Sequence, residues 1–217
     1  MWLQDNHIKA VIFDVDGTLL DTGDGIMHSI RHTLETFGLP VPIENVLRKY
    51  VGPSPYESLQ QFAGLSEDSA RAGANIFREF YKNVALYEAT IYDGVMSLLE
   101  RLKQDGYKLG VATNKREDYA LDILHYFGLS PYCEIIHGSD SDYKLTKADI
   151  INLCCAELGV SKENILYVGD TEYDARGAAF AGIKFCAVTW GYGYQQGEFL
   201  SDYPVSLICH KPSDLET

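Results

Sequence analysis

The stretch that decides the fold is Lys9-Ala10-Val11-Ile12-Phe13-Asp14-Val15-Asp16-Gly17-Thr18-Leu19. Its short apolar run stops at Asp14, which predicts a buried strand with a carboxylate at its exit. Similar apolar runs recur further along the chain. They occupy residues 108–112, 133–136, 165–168, 185–188 and 205–209.

Amphipathic helices are predicted between most of these apolar runs. One apolar face comprises Val95, Leu98, Leu99 and Leu102, and another comprises Ala120, Ile123, Leu124 and Phe127. Gly106 and Gly128 follow these faces as helix stops. Because strands that alternate with helices indicate βαβ units, we expect the α/β class, with a Rossmann-like three-layer core built on a parallel sheet.

The segment of residues 21–89 interrupts this alternation. It has helical periodicity and no convincing strand. Within it, Ser54-Pro55-Tyr56-Glu57 has the pattern of a capping box with proline at the first helical position. We therefore expect two domains: an α/β core of residues 1–20 and 90–217, and an all-α helical cap of residues 21–89 inserted after the first strand.

Composition narrows the class of protein. The 217 residues carry a formal net charge of −13, so a nucleic-acid or anionic-membrane binder, which needs a basic surface, is not expected. The five cysteines are odd in number and lack a CxxC spacing, which is typical of reduced thiols. No signal-peptide core or membrane-spanning run is present. We expect a cytoplasmic monomer or homodimer.

Asp14 and Asp16 are two carboxylates two residues apart at the exit of a buried strand. Burying both is costly unless a cation and a phosphoryl group compensate them. One aspartate can attack phosphorus and hold Mg²⁺, while the other serves as general acid and base. The alternative is a plain turn in which Asp16-Gly17 ends the strand.

The string Phe13-Asp14-Val15-Asp16-Gly17-Thr18-Leu19 resembles the signature of the haloacid dehalogenase superfamily. Residues 8–217 as a whole resemble its phosphoglycolate-phosphatase-like branch. The resemblance implies that Asp14 is the nucleophile and that Asp16 is the acid/base. It also implies that Asp16 binds Mg²⁺ through its backbone carbonyl.

The second and third family motifs supply phosphate-binding residues. By resemblance, Thr113 and Asn114 bind the transferring phosphoryl group, although capping a helix is the commoner role of such a threonine. The family also places a lysine after its third strand, usually followed by proline. Neither Lys144 nor Lys147 precedes a proline. We prefer Lys147, because it opens the next predicted helix, and keep Lys144 as the alternative.

The fourth motif is Val168-Gly169-Asp170-Thr171-Glu172-Tyr173-Asp174. Carboxylates four residues apart across a strand-to-helix turn can face one cation. The resemblance makes Asp170 a direct metal ligand and Asp174 a ligand through water or a supporting partner. The alternative is a helix cap at Asp170 with Asp174 on the surface. Glu172 is expected to be exposed.

Two further segments are weaker candidates. In this branch of the family a turn of the cap contacts the substrate, which implies a substrate-binding role for Gly52 and Ser54. The alternative is an ordinary helix start. The aromatic, glycine-rich stretch of residues 189–194 is expected to be a packing loop near the mouth of the site.

These residues together predict a Mg²⁺-dependent phosphatase that hydrolyses a small phosphorylated metabolite through an aspartyl phosphate. Asp16 argues against dehalogenase chemistry, because dehalogenases of the superfamily lack that second aspartate. Sugar phosphomutases of the family carry an arginine where this chain has Pro55, so hydrolysis is favoured over phosphoryl transfer to a sugar. A nucleotidase, a pyrophosphatase and a non-catalytic regulator on the same core are the remaining alternatives.

Overall fold

The computed structural model describes residues 2–140, 144–194 and 201–215. The chain divides into two compact units. The first comprises Met1–Leu20 and Ile91–Thr217, and the second comprises Asp21–Thr90. The first unit contains the sheet and the second is helical, so the inserted segment forms a unit of its own.

The strands are β1 (Ala10–Phe13), β2 (Leu20–Asp21), β3 (Thr90–Ile91), β4 (Lys108–Arg116), β5 (Ile135–Ser139), β6 (Ile165–Gly169), β7 (Lys184–Val188) and β8 (Leu207–Cys209). Six of them form one sheet in the order β5-β4-β1-β6-β7-β8, and β2 and β3 form a separate two-stranded sheet. Every pairing in the large sheet is parallel. The predicted α/β class with a parallel sheet is confirmed.

The helices are α1 (Trp2–Asp5), α2 (Gly23–Thr36), α3 (Glu44–Leu47), α4 (Pro55–Ala63), α5 (Glu67–Phe80), α6 (Val95–Gln104), α7 (Glu117–Tyr126), α8 (Lys147–Leu158) and α9 (Glu172–Ala181). A five-residue π-helical turn, Tyr81–Ala85, continues α5. Among the described residues, no helix has the length and apolarity needed to cross a membrane.

The core has three layers, with the large sheet between two layers of helices. This follows from the position of β1 in the middle of the sheet, because strands are added on both sides of it. From β1 the chain order runs through β4 to β5 on one side and through β6 to β7 on the other. Right-handed crossovers in opposite directions place their helices on opposite faces. One face buries Ile12 and Tyr167 against α8 and α9, and the alternate residue Val11 points to the other.

The strand boundaries differ most from the predicted ones at β4, at β5 and at β8, which begins at Leu207 rather than Val205. β4 continues past Ala112 to Arg116, because an irregular register lets Arg116 pair with Ser139 of β5. β5 begins at Ile135 rather than Cys133, since a 3₁₀ turn at Ser130–Tyr132 precedes it. The polar end of β4 is therefore held in the sheet.

The helical unit has its own core. Apolar residues of α2, α4 and α5 are buried in it: Ile30, Leu34, Leu59, Ala74 and Phe77. The predicted capping box opens α4, where the Ser54 hydroxyl accepts a hydrogen bond from the backbone N–H of Glu57 and Pro55 is the first helical residue. Burial of apolar surface against neighbouring helices, rather than helix propensity alone, stabilises such short helices.

Candidate active site

The predicted site residues of the core lie at the carboxyl ends of three neighbouring strands. Asp14 follows β1, Thr113 lies near the end of β4, and Asp170 follows β6. β1 is flanked by β4 and β6, so this is the point at which the strand order changes direction. Ligands of open α/β sheets bind in the crevice outside such a point.

Asp14 and Lys147 form a buried ion pair. The Nζ atom of Lys147 lies 2.8 Å from Oδ1 of Asp14, and the two side chains are 7% and 9% exposed. Burial raises the pKa of Asp14 to about 6, and Lys147 counteracts that rise. Burial alone would lower the pKa of Lys147, but Asp14 and Asp174 raise it, so the lysine is charged. The pair therefore places a permanent cation beside the predicted nucleophile.

Asp174 supports both the lysine and the following helix. Its Oδ1 atom lies 2.8 Å from Nζ of Lys147. Its Oδ2 atom accepts hydrogen bonds from the backbone N–H and the hydroxyl of Thr171 at the start of α9, at 3.0 and 2.8 Å. Asp174 is 1% exposed, so the surface position considered as the alternative is wrong. Because both oxygens have protein partners, a supporting role fits Asp174 better than a purely metal-binding one.

Tyr167 of β6 lies beneath this cluster and was not identified from the sequence. Its buried hydroxyl donates a hydrogen bond to the carbonyl of Ala112 at 2.7 Å and lies 3.2 Å from Oδ1 of Asp174. The Nζ atom of Lys147 lies 5.6 Å from the centre of the Tyr167 ring, within the range of a cation–π contact. Tyr167 thus links β4 to the Lys147–Asp174 pair.

Asp170 is completely buried, and among the described residues only one of its two carboxylate oxygens has a hydrogen-bond partner. Its Oδ2 atom accepts a hydrogen bond from the backbone N–H of Tyr192 at 2.7 Å. Its Oδ1 atom is buried and has no hydrogen-bond partner among the described residues. Burial raises the pKa of Asp170 well above its usual range, and the charges of Asp174 and Asp14 raise it further. A buried carboxylate oxygen without a partner needs a cation or a proton.

The glycine of the first motif is required by the packing against Asp170. Gly17 has a φ of +79°, and a Cβ atom there would lie 2.2 Å from Oδ2 of Asp170. A side chain would therefore push the carboxylate out of position. The Asp16-Gly17 pair is more than a strand-ending turn, because it lets the exit of β1 approach the exit of β6.

Lys115 is a site residue that the sequence analysis missed. Its Nζ atom lies 3.0 Å from Oδ1 of Asp16, and its side chain is 4% exposed. A lysine is seldom buried without a partner, and the sequence signal was its place two residues after Thr113 on a strand aimed at the site. Lys115 therefore holds the predicted acid/base from the side of β4.

The buried cluster suits a divalent cation. Asp14, Asp170 and Asp174 each offer a carboxylate oxygen, and these atoms lie within 4.8 Å of one another. The cluster contains four carboxyl groups, those of Asp14, Asp16, Asp170 and Asp174, and two ammonium groups, those of Lys115 and Lys147. Carboxyl groups therefore outnumber ammonium groups, and hard divalent cations prefer carboxylate oxygens. The unpartnered oxygen of Asp170 is a suitable ligand.

Thr113 is not a helix cap. It lies inside β4, is 1% exposed, and its hydroxyl accepts a hydrogen bond from the backbone N–H of Lys115 at 3.2 Å. The next helix, α7, begins only at Glu117. The neighbouring Asn114 is half-buried on the same strand end. Neither Thr113 nor Asn114 therefore caps α7, and phosphate binding stays the prediction for both residues.

Four other residues named from the sequence are Lys144, Gly52, Ser54 and Glu172. Lys144 is exposed, whereas Lys147 reaches Asp14, so the structure favours Lys147. Gly52 and Ser54 belong to the helical unit, where Ser54 caps α4, and their contact with substrate stays a prediction. The expectation that Glu172 is exposed is wrong. It is half-buried and accepts hydrogen bonds from the Tyr194 hydroxyl and the backbone N–H of Asp202.

Known proteins resemble this chain over nearly all of its length. Residues 11–188 match the haloacid dehalogenase-like hydrolase family. The chain is 36% identical over 203 residues to tyrosine-protein kinase PtkA of Mycobacterium tuberculosis, which covers 93% of this chain and 68% of that protein. It is 32% identical over 209 residues to a phosphoglycolate phosphatase of Xanthomonas campestris, which covers 95% of this chain and 94% of that protein.

A solved structure shares the fold as well as the sequence. A haloacid dehalogenase-like family hydrolase from Streptococcus pneumoniae has a TM-score of 0.87 and 32% identity over 96% of each chain. The chain belongs to the haloacid dehalogenase-like hydrolase family and is a phosphatase of that family.

Proposed function

We propose that the protein is a Mg²⁺-dependent phosphatase that hydrolyses a small phosphomonoester through a phosphorylated Asp14. The observation that carries this proposal is the buried contact of 2.8 Å between Lys147 Nζ and Asp14 Oδ1, next to the oxygens of Asp170 and Asp174. A carboxylate held by a fixed cation is restrained for in-line attack, and that cation can also neutralise phosphoryl oxygens.

In the first step an oxygen of Asp14 attacks phosphorus and the ester bond to the leaving alcohol breaks. Asp16 donates a proton to that alcohol. Lys147 and the hydroxyl of Thr113 bind the equatorial oxygens, where negative charge accumulates in the transition state. The restraint of Asp14 by Lys147 reduces the entropy that must be lost on reaching this geometry.

In the second step water hydrolyses the aspartyl phosphate. Asp16, now deprotonated, removes a proton from the attacking water, and Asp14 is the leaving group. Lys115 orients the Asp16 carboxylate in both steps through its contact of 3.0 Å. Mg²⁺ bound by Asp14, Asp170 and the carbonyl of Asp16 would add electrostatic stabilisation of the phosphoryl oxygens.

A small metabolite fits this protein better than a polymeric substrate. The formal net charge of −13 disfavours nucleic acids, so local cations must attract the phosphoryl group. The relative from Xanthomonas campestris is named a phosphoglycolate phosphatase, which supports a phosphorylated small acid as the first substrate to test.

The test is release of inorganic phosphate from a panel of substrates. The panel contains phosphoglycolate, a hexose phosphate, a nucleoside 5′-monophosphate and pyrophosphate, each with Mg²⁺ and with EDTA. We expect release that requires Mg²⁺ and is abolished by Asp14→Asn, while the exposed Asp122→Asn variant retains wild-type rates. Release that persists in Asp14→Asn would overturn the proposal.

The acceptor of the phosphoryl group needs its own experiment, because one relative is named a tyrosine-protein kinase. Asp16 lies two residues after Asp14 in the sequence and can activate water, which favours hydrolysis over transfer to tyrosine. We expect incubation with radiolabelled ATP and tyrosine-containing peptides to give no phosphotyrosine above the level seen with Asp14→Asn. Peptide labelling that exceeds phosphate release would instead make transfer to tyrosine the main activity.

A further inference from the structure

The segment Thr189–Tyr194, which follows β7, surrounds Asp170 more closely than a packing loop requires. We propose that this aromatic–glycine loop is a positioning element that fixes Asp170 for a divalent cation. The inference rests on the proposed metal-binding role of Asp170 and extends it to residues of another segment of the core. Each contact below lies within the sheet-containing unit.

The loop holds Asp170 at its side chain and at its backbone. The backbone N–H of Tyr192 donates to Oδ2 of Asp170 at 2.7 Å, and the backbone N–H of Tyr194 donates to the carbonyl of Asp170 at 3.0 Å. The first bond restricts rotation of the carboxylate, and the second restrains the backbone that carries it. The consequence is that Oδ2 is occupied by the loop, while Oδ1 has no partner among the described residues and is left for a cation.

The approach is so close that one loop position has no room for a side chain. A Cβ atom at Gly191 would lie 2.4 Å from Oδ2 of Asp170 and 2.2 Å from the carbonyl oxygen of Gly17. Both distances are far below van der Waals contact, and the second involves backbone that cannot move as freely as a side chain. Gly191 therefore packs the loop against the exits of β1 and β6 together.

Two side chains anchor the loop on either side of this glycine. The indole Nε1–H of Trp190 donates to the carbonyl of Thr18 at 3.0 Å. The hydroxyl of Tyr194 donates to Oε2 of Glu172 at 2.6 Å. The first anchor attaches the loop to the segment after β1, and the second attaches it to the start of α9. The loop thus fixes Asp170 relative to the segment that carries Asp14 and Asp16.

Such supporting contacts matter most for metal binding. Partners that orient a metal ligand typically change metal affinity about 10- to 100-fold when they are removed. Packing alone would make a different prediction, because loss of an anchor would then lower stability without a specific effect on the cation. Affinity for Mg²⁺, measured on the protein without substrate, separates the two roles.

The experiment is a calorimetric titration of Mg²⁺ into the full chain, two anchor variants and a matched control for each. Trp190→Phe removes one anchor and replaces the indole with a smaller aromatic ring, and Tyr194→Phe removes the other anchor and retains the ring. Trp2→Phe is the control for Trp190→Phe, because Trp2 lies in the short helix that precedes β1, whereas Asp14 follows that strand. Tyr132→Phe removes a comparable tyrosine–glutamate hydrogen bond, to Glu100.

We expect Trp190→Phe and Tyr194→Phe to bind Mg²⁺ about tenfold or more weakly than the wild type, and both controls to bind as the wild type does. Thermal melts in EDTA establish that each variant is folded. If Gly191→Ala also folds, its Mg²⁺ binding is expected to fall below detection. Anchor variants with wild-type affinity would overturn this inference and leave the proposed function intact. A wild type that binds no Mg²⁺ would overturn both.

Discussion

Lys147 Nζ lies 2.8 Å from Asp14 Oδ1 although 133 residues separate the two in the chain. The same Nζ atom lies 2.8 Å from Asp174 Oδ1. One ammonium group therefore joins the residue after β1, the first residue of α8 and a residue in the first turn of α9. Removing Lys147 would be costly, because Asp14 and Asp174 would both lose the cation that compensates them, so this ammonium group constrains both structure and chemistry.

Lys147→Met is expected to lower kcat/KM by about 10²–10⁴-fold, because the variant loses the cation that neutralises the phosphoryl oxygens. The matched control is Lys144→Met, which removes the same charge from an exposed position three residues earlier. It should change kcat/KM by less than about threefold. Steady-state kinetics with Mg²⁺ measure both, and a larger effect at Lys144 would reverse the assignment of the phosphate lysine.

Lys115→Met is expected to reduce kcat by roughly 10- to 100-fold with a smaller change in KM, since the ammonium group of Lys115 contacts the predicted acid/base Asp16. Lys115→Arg should recover part of the loss by keeping the charge. Lys108→Met, on the same strand, is the control, because Lys108 Nζ instead donates to the carbonyl of Leu158. A variant altered only in KM would show that Lys115 binds substrate and does not orient Asp16.

The stability of the metal-free protein should depend on the ionisation of Asp14. Burial, with the charges of Asp174 and Asp16 adding to it, raises the pKa of Asp14 from 3.8 to about 6 against the attraction of Lys147. Between these two values the native state binds more protons than the unfolded chain. The free energy of unfolding therefore falls as pH rises through this window.

Asp14→Asn should remove the contribution of Asp14 to that pH dependence and make the protein more stable at pH 8 in EDTA, by roughly 2–3 kcal/mol. The asparagine keeps an oxygen that can accept from Lys147 and lacks the buried negative charge. Urea unfolding of both proteins at pH 4 and pH 8 measures the difference, and Asp122→Asn controls for the loss of a surface charge. A less stable Asp14→Asn at pH 8 would contradict the charge balance described for the cluster.

Most of the sheet could be predicted because buried parallel strands appear in the sequence as short apolar runs. The end of β4 could not, since Thr113, Asn114 and Lys115 are polar and extend a strand whose apolar run stops at Ala112. These residues stay in the sheet through the irregular register with β5. Strand boundaries near a site are difficult to predict because polar residues placed there serve the site and not the core.

The sequence was sufficient to predict that the carboxylates of separate segments lie close together, but it did not predict all of their partners. Asp14, Asp170 and Asp174 converge as expected, although their chemical roles stay predictions. Lys115 was missed because a lysine is exposed by default, and its burial depends on a partner 99 positions away, Asp16. The partial burial of Glu172 could not be predicted because its partners, Tyr194 and Asp202, lie 22 and 30 positions further along the chain.

Trapping of the phosphorylated enzyme tests the central claim most directly. The Asp16→Asn variant is mixed with Mg²⁺ and 4-nitrophenyl phosphate. Asp14 should still be phosphorylated, because the 4-nitrophenolate leaving group needs little protonation. Hydrolysis of the aspartyl phosphate should be slow, because the variant lacks the base that activates water. Acid quenching, peptide mapping and mass spectrometry locate the phosphate. The account predicts one phosphoryl group on Asp14, and none in the Asp14→Asn, Asp16→Asn double variant. Phosphate on another residue, or turnover with no phosphorylated intermediate, would contradict it.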